Sequence, residues 1–394
     1  MRERKKARSL TVAALCSYFH ATPCHGVFMS TIPARLSVSR IRCYYRPLLL
    51  AGAALTLLSV FWFTSRYPQL LGKATHVGRE LPTMAYSREV LAVAADSPVW
   101  QRILYGAVNW LADMRIGMTF GVLLGALLHT YLRYYPLKIG KNLYLNSLKG
   151  ALVGVPMGVC ANCAVPTACG VSRGHGRIEV ALGFLFSSPN FNPVVVMMTF
   201  MAFPLAMSLT KYVILLLVIL VVVPSLISWL ERGKPLKILT VGGEGDSCAI
   251  PIQDTNCTES FWTVSGEMAW EFARNVWMLL KPTLTIMLLT SVMAATMLAL
   301  IPWQELLAEP TLLKLAIVSV IAVVMPVPIA LDVLFAAQLL QQGIAPGFVM
   351  LFAMTLGTYS IIPSIYLWRE VSKRLSVLLF VFFVAVGLIT GLIF

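Results

Sequence analysis

Long apolar runs, interrupted at a few points by proline, glycine and polar residues, set the pattern of this chain. A bilayer-spanning helix needs about 20 predominantly apolar residues. On that rule nine spans are predicted, near residues 47–64, 113–134, 150–169, 179–204, 211–230, 277–300, 313–331, 345–367 and 374–394. The expected fold is an all-α integral membrane protein with about eight to nine transmembrane helices. Residues 98–111 are aromatic-rich with one charge, Arg102, and read as an interfacial helix leading into the second span.

One stretch breaks the pattern. Between Gly154 and Val196 the chain carries Cys160, Cys163, Cys169, Arg173, His175, Arg177 and Glu179 among Pro156, Pro166, Pro189 and Pro193. Lipid-facing helices exclude such residues; broken backbone at membrane depth survives only where it lines a cavity or is buried in protein. This stretch is therefore the predicted place of substrate handling. A single constant shift along the chain lays spans two to five on spans six to nine. It carries Val155, Met157, Val159, Val165 and Phe184 onto Val323, Met325, Val327, Val333 and Phe352. Interrupted segments at corresponding positions of two halves are a transporter signature. The predicted division is a basic tail at 1–46, an N-terminal span at 47–64, a first four-helix repeat at 98–230, a hydrophilic loop at 231–274 and a second repeat at 275–394.

Composition narrows the class. The chain has 394 residues, 58% hydrophobic and 12% charged, which excludes an ordinary soluble domain and a disordered one. The net charge of +14 reads as cytoplasmic loops of a membrane protein and not as nucleic-acid binding. Residues 1–46 hold nine Lys/Arg and one acid, which puts the N-terminus in the cytoplasm of a bacterial inner membrane. Loop 135–149, with Lys138, Lys141 and Lys149, falls on the same side. The loop 231–274, with seven acids against four bases, falls outside, although Arg232, Lys234 and Lys237 pull the other way. A re-entrant broken stretch would reverse the second half. The first apolar run ends without a small-residue cleavage pattern and reads as a retained anchor; Met29 offers a second start.

The candidate chemistry sits at the breaks. Cys160 and Cys163 are three apart on a helix and share a face; thiolates suit Cu(I), Zn(II) and trivalent metalloids, so the pair is a candidate soft-metal site, with Cys169 nearby. The alternative for any buried cysteine is plain packing. Ser187, Ser188, Pro189, Asn190, Asn192 and Pro193 interrupt span four, because each proline removes a backbone donor; with Asn162, Pro166, Pro326 and Pro328 they form the predicted substrate pathway. Asp332 is an intramembrane carboxylate and the proton-coupling candidate. Arg173, His175 and Arg177 make a basic turn that reads as a gate or as an ordinary loop. The chain has no GxxxxGK[ST] or HExxH motif and no cofactor is expected.

The Cys160–Asn190 stretch resembles the predicted permease family that includes the organoarsenical efflux permeases. That family's hallmark runs P-x-C-S-C-G-V-V-P, then a glycine-containing turn, then A-F-L and S/A-x-P. Cys160, Pro166, Phe184-Leu185 and Ser187-Ser188-Pro189 fit its spacing, and Pro328, Asp332, Gly343 and Phe352 resemble a weaker repeat of it. The resemblance covers roughly residues 105–394. Two positions depart from it: the second thiol is displaced by one residue to Cys163, and Gly158 stands where the family has proline.

The combined expectation is a secondary transporter that exports a small thiophilic or metalloid compound, with the lipid bilayer and that substrate as partners; the composition also allows a homo-oligomer. A membrane thiol oxidoreductase using Cys160/Cys163, with Cys248/Cys257 as a relay, and a non-catalytic subunit of a larger complex are the alternatives.

Overall fold

The computed structural model describes residues 45–75, 90–92, 97–135, 140, 142–173, 177–231 and 260–394, and every regular element among them is helical. In chain order these are α1 (Tyr45–Ala74), α2 (Val99–Tyr134), α3 (Leu143–Gly154), α4 (Ala161–Arg173), α5 (Ile178–Asn190), α6 (Pro193–Ala202) and α7 (Leu205–Leu230). There follow α8 (Phe261–Leu300), α9 (Trp303–Leu306), α10 (Leu312–Val324), α11 (Leu331–Gln341), α12 (Pro346–Thr355), α13 (Ile361–Tyr366) and α14 (Lys373–Ile393). Residues 98–111, expected as a separate helix, are the opening turns of α2.

Helices α1, α2, α7, α8 and α14 are long and apolar enough to cross a membrane, and α5 with α6 makes a sixth candidate, bent by 48°. The other spans expected from the sequence are halved, and the cause is local. After α3 the chain leaves the helix over 155–160, where Gly158 takes a left-handed φ of 58°. After α10 it leaves over Met325-Pro-Val-Pro328, and Ala330 takes φ 62° before α11. An L residue in that region is strained by about 1–2 kcal/mol. Pro193 opens α6 behind Asn192, whose Oδ1 accepts from the Val194 amide at 3.1 Å; Ser360 caps α13 in the same way through the Ile362 amide. Ile178, Pro193 and Leu205 open helices, and so do Pro346, Ile361 and Lys373, their counterparts under the shift that aligns Val155 with Val323.

Small residues let these short helices approach closely, as association inside lipid requires. Gly117, Gly121 and Gly125 form a stripe on α2. A Cβ built at Gly121 would clash with the Cys163 carbonyl on α4, and one at Gly125 would meet the Pro166 carbonyl. Gly150 and Gly154 of α3 meet Val180, Phe184 and Ser187 of α5 in the same manner.

The ends of α1, α2 and α8 are tied together by charge. Arg46 pairs with Glu267 at 3.2 Å; Arg133 and Tyr134 both donate to Glu271 at 2.6 Å. The start of α8 therefore shares an end of the bundle with the start of α1 and the end of α2, which corrects the reading that set 231–274 opposite the N-terminal tail. The charge count treated Glu267 and Glu271 as outward-directing acids, whereas they neutralise Arg46 and Arg133. The tail before Tyr45, residues 232–259 with Cys248 and Cys257, and Cys16, His20, Cys24 and His25 lie outside the described residues.

The glycine stripe has a measurable consequence. Gly121→Ala is expected to lower the thermal melting midpoint of the detergent-purified protein by the equivalent of about 1–3 kcal/mol. Gly52→Ala, on α1 with nothing within 4 Å of its Cβ position, should not lower it. Equal midpoints for both variants would show that α2 and α4 do not meet along Gly121.

Candidate functional site

The helix breaks meet in the protein interior. Asn162, in the first turn of α4, donates from Nδ2 to the Val327 carbonyl in the α10–α11 break at 3.1 Å. Its Oδ1 accepts from Ser360 Oγ in the α12–α13 break at 2.5 Å. Thr358 Oγ1 reaches Asn190 Oδ1 at 3.3 Å, linking the α12–α13 break to the end of α5. The freed carbonyls of Pro326 and Ile329 are taken by Trp110 Nε1 at 3.0 Å and Lys73 Nζ at 2.8 Å. Away from water each such group left unmade would cost about 1–3 kcal/mol, so these contacts fix the breaks against one another. Beside Pro326 and Pro328 lies a small apolar pocket, lined among others by Trp110, Trp303 and Phe352.

Sulfur collects at the start of α4. The Cys160 and Cys163 sulfurs are in disulfide contact, with Cα atoms 5.2 Å apart, inside the range of about 4.4–6.8 Å that a disulfide accepts. Met114 Sδ on α2 lies 3.7 Å from Cys160 Sγ and 3.9 Å from Cys163 Sγ. All three residues are buried. When the pair is reduced, two thiols and a thioether face one point, a soft donor set.

Across the breaks stands an ion pair sealed from solvent: Lys211 Nζ of α7 lies 3.0 Å from Asp332 Oδ2 of α11, and both side chains are at most 4% exposed. Breaking such a pair from one side costs about 3–5 kcal/mol, because the remaining charge is uncompensated. Gly357 makes the room: a Cβ there would lie 2.5 Å from the Asp332 carboxyl carbon.

The remaining predicted residues divide. Ser188 Oγ accepts from the Val159 amide at 3.3 Å, so it holds the α3–α4 break. Ser187 Oγ donates to the Ala151 carbonyl at 2.9 Å and serves helix packing. Pro189 closes α5, and Asn190 Nδ2 returns to the Phe186 carbonyl at 3.0 Å. Pro166 sits inside α4, where its carbonyl faces Gly125. Cys169 is not brought to the cysteine pair; it packs against the Val122, Ala126 and Leu279 cluster. Arg177 is tied to Glu179 at 3.0 Å and to the Gly140 carbonyl at 3.0 Å, while Asn146 donates to the same Glu179. The Arg173 side chain and His175 lie outside the described residues.

The sequence reading missed Met114, Trp110, Lys211, Lys73 and Arg66. Lys211 carried a usable signal, since an ionisable residue inside an apolar span marks a site by default. Met114 carried none, because methionine in an apolar helix ordinarily fills a core.

Residues 107–394 match the family model described as predicted permease, ArsP_1. The chain is similar to the UPF0718 protein YraQ of Escherichia coli (strain K12), 24% identical over 322 residues that cover 80% of this chain and 86% of that protein. No solved structure matches. With its apolar spans and a family match over most of its length, this chain is an integral membrane protein that belongs to the predicted permease family.

Proposed function

We propose that the protein is a secondary transporter that exports a small thiophilic or metalloid compound across a bacterial inner membrane, with its N-terminus in the cytoplasm. The observation that carries this reading is the three-sulfur cluster of Met114, Cys160 and Cys163 buried where the helix breaks meet. Substrate ligation needs the reduced pair, since thiolates are the ligands. Asn162, Ser188, Asn190, Asn192, Pro326 and Pro328 border the same meeting point and form the polar pathway, with Ser187, Pro166, Pro189 and Pro193 shaping it. Cys169 is given no part in binding. Arg173, His175 and Arg177, in the connection between α4 and α5, are the gate.

The halves 98–230 and 275–394 act as two repeats. Helix starts that recur under one constant shift support this, as does the opposed pair of breaks. The shared end of α2 and α8 calls for an even number of crossings between them, so one of the broken segments turns back inside the membrane. Asp332 is the proton-linked switch and Lys211 its partner. Protonation of Asp332 would leave Lys211 charged and unpaired, which favours a rearranged state.

A second reading, a membrane thiol oxidoreductase, is favoured by the disulfide contact of Cys160 and Cys163. Their burial, at 3% and 1% exposure, argues against a partner protein reaching them. The readings separate in vesicles. A transporter moves a trivalent arsenical or Cu(I) under reducing conditions and loses that movement at least tenfold in the Cys160→Ser/Cys163→Ser double variant. Retained movement in the variant would reduce the cysteines to packing, and movement that needs an oxidised pair would favour the oxidoreductase.

The ion pair gives a separate test. Asp332→Asn should abolish accumulation driven by a pH gradient while leaving substrate exchange at equal concentrations within about threefold. Its melting midpoint should fall, and replacing both partners, Lys211→Met with Asp332→Leu, should restore it. Equal loss of driven transport and exchange in the restored double variant would make the pair structural and rule out its coupling role.

A further inference from the structure

Helix α1 brings a second, chemically different set of groups to the sulfur cluster. Arg66 ends a π turn at Phe61–Arg66 and points inward, 5% exposed, with its guanidinium carbon 5.0 Å from the Phe61 ring centre. Its Nε has no hydrogen-bond partner among the described residues, and neither has Nδ2 of the fully buried Asn192, whose Oδ1 is spent on capping α6. Both side chains flank Gly158, and the Arg66 guanidinium reaches on to Gly117. A Cβ built at Gly158 would lie 2.7 Å from Asn192 Nδ2 and 3.6 Å from Arg66 Cγ. A Cβ built at Gly117 would lie 2.8 Å from Arg66 Nη2 and 2.9 Å from Cys163 Sγ. Gly158 stands three residues before the beginning of α4, a helix of 13 residues whose N-terminal dipole favours negative charge.

Among the described residues no carboxylate forms a salt bridge with Arg66, and Asp332 is engaged by Lys211. A guanidinium and an amide buried without acceptors are destabilising unless something supplies anionic oxygens. Arg66 also lies outside residues 107–394, so the family match does not account for it.

We propose that Arg66, Asn192 Nδ2 and the α4 N-terminus form a subsite for a small oxyanion beside the sulfur cluster, so that the transported species joins a soft atom to anionic oxygens. The transport clause rests on the permease reading above; the subsite does not.

The test is equilibrium binding of radiolabelled sulfate to the purified full chain in detergent at low salt, with melting midpoints measured alongside. Sulfate should bind the wild type and raise its midpoint. Arg66→Gln should weaken binding at least tenfold and remove the sulfate-dependent shift without lowering the sulfate-free midpoint, because it removes an uncompensated charge. Asn192→Asp, which caps α6 equally well but repels an anion, should weaken binding as strongly. Sulfate binding is read without transport, so its failure and the failure of the permease reading are separate outcomes. No sulfate binding by the wild type, or wild-type binding by Arg66→Gln, would overturn the proposal. So would a sulfate-free midpoint that falls in Arg66→Gln while the sulfate shift persists, since that pattern belongs to a structural arginine.

Discussion

Everything at the centre of this protein follows from the need to satisfy backbone polar groups where no water can reach. A helix meets that need within itself, and a broken helix does not. The breaks after α3, α5, α10 and α12 free carbonyls and amides that must find partners in neighbouring segments. Asn162 serves two breaks at once, through Val327 and Ser360; Trp110 and Lys73 come from the long helices to take the carbonyls of Pro326 and Ile329. These contacts join segments from opposite halves of the sequence, so the breaks can form only together. A polar centre inside an apolar bundle is the outcome of that coupling.

Close helix approach decides what chemistry the centre holds. Met114 lies one turn before Gly117 on α2, and the glycines at 117, 121 and 125 let that face press against the α4 backbone. Without the glycines α2 would stand further off, and Met114 would not reach the two cysteine sulfurs at under 4 Å. The glycine stripe, which looks like a packing device, therefore completes the soft donor set. Gly357 does the same for charge, because the Asp332 carboxyl occupies the volume a side chain would fill.

The breaks were legible in the sequence because proline and glycine act through the backbone, independent of partners. Pro189, Pro193, Pro326 and Pro328 stand where helices stop or start, whereas Cys160 lies just before α4 and its sulfur accepts from the Cys163 amide at 3.2 Å. The long helices were legible too, from length and hydropathy. Partnership was not. Spacing placed Cys169 within reach of Cys160, yet it lies on the α8-facing side of α4. Charge counting misplaced the start of α8, because Glu267 and Glu271 gain their meaning from Arg46 and Arg133, which stand on other helices far back in the chain. Arg66 drew no reading, since it lies just past the expected first span at 47–64, and only the fold turns it inward.

Under the proposed two-repeat architecture the halves have divided their labour. Asn190 and Thr358 are equivalent positions under the shift that relates the halves, and they touch each other. Equivalent residues in contact must lie near the axis relating the repeats, which places that axis through the α5 and α12 ends. Around it the first break carries Cys160 and Asn162, where the second carries Pro328 and Ala330; the second half carries Asp332, where the first has Ala164. The proposed soft ligands therefore belong to the first half and the proposed switch carboxylate to the second, where Lys211 of the first half meets it. The α1 cations, Arg66 and Lys73, reach one to each break, since Arg66 approaches Gly158 and Lys73 holds Ile329. A motion that opened one break at the expense of the other would exchange the environments of these two cations. An anionic substrate at Arg66 and a proton at Asp332 would then bias the same equilibrium from opposite sides, which is the linkage that coupled transport demands.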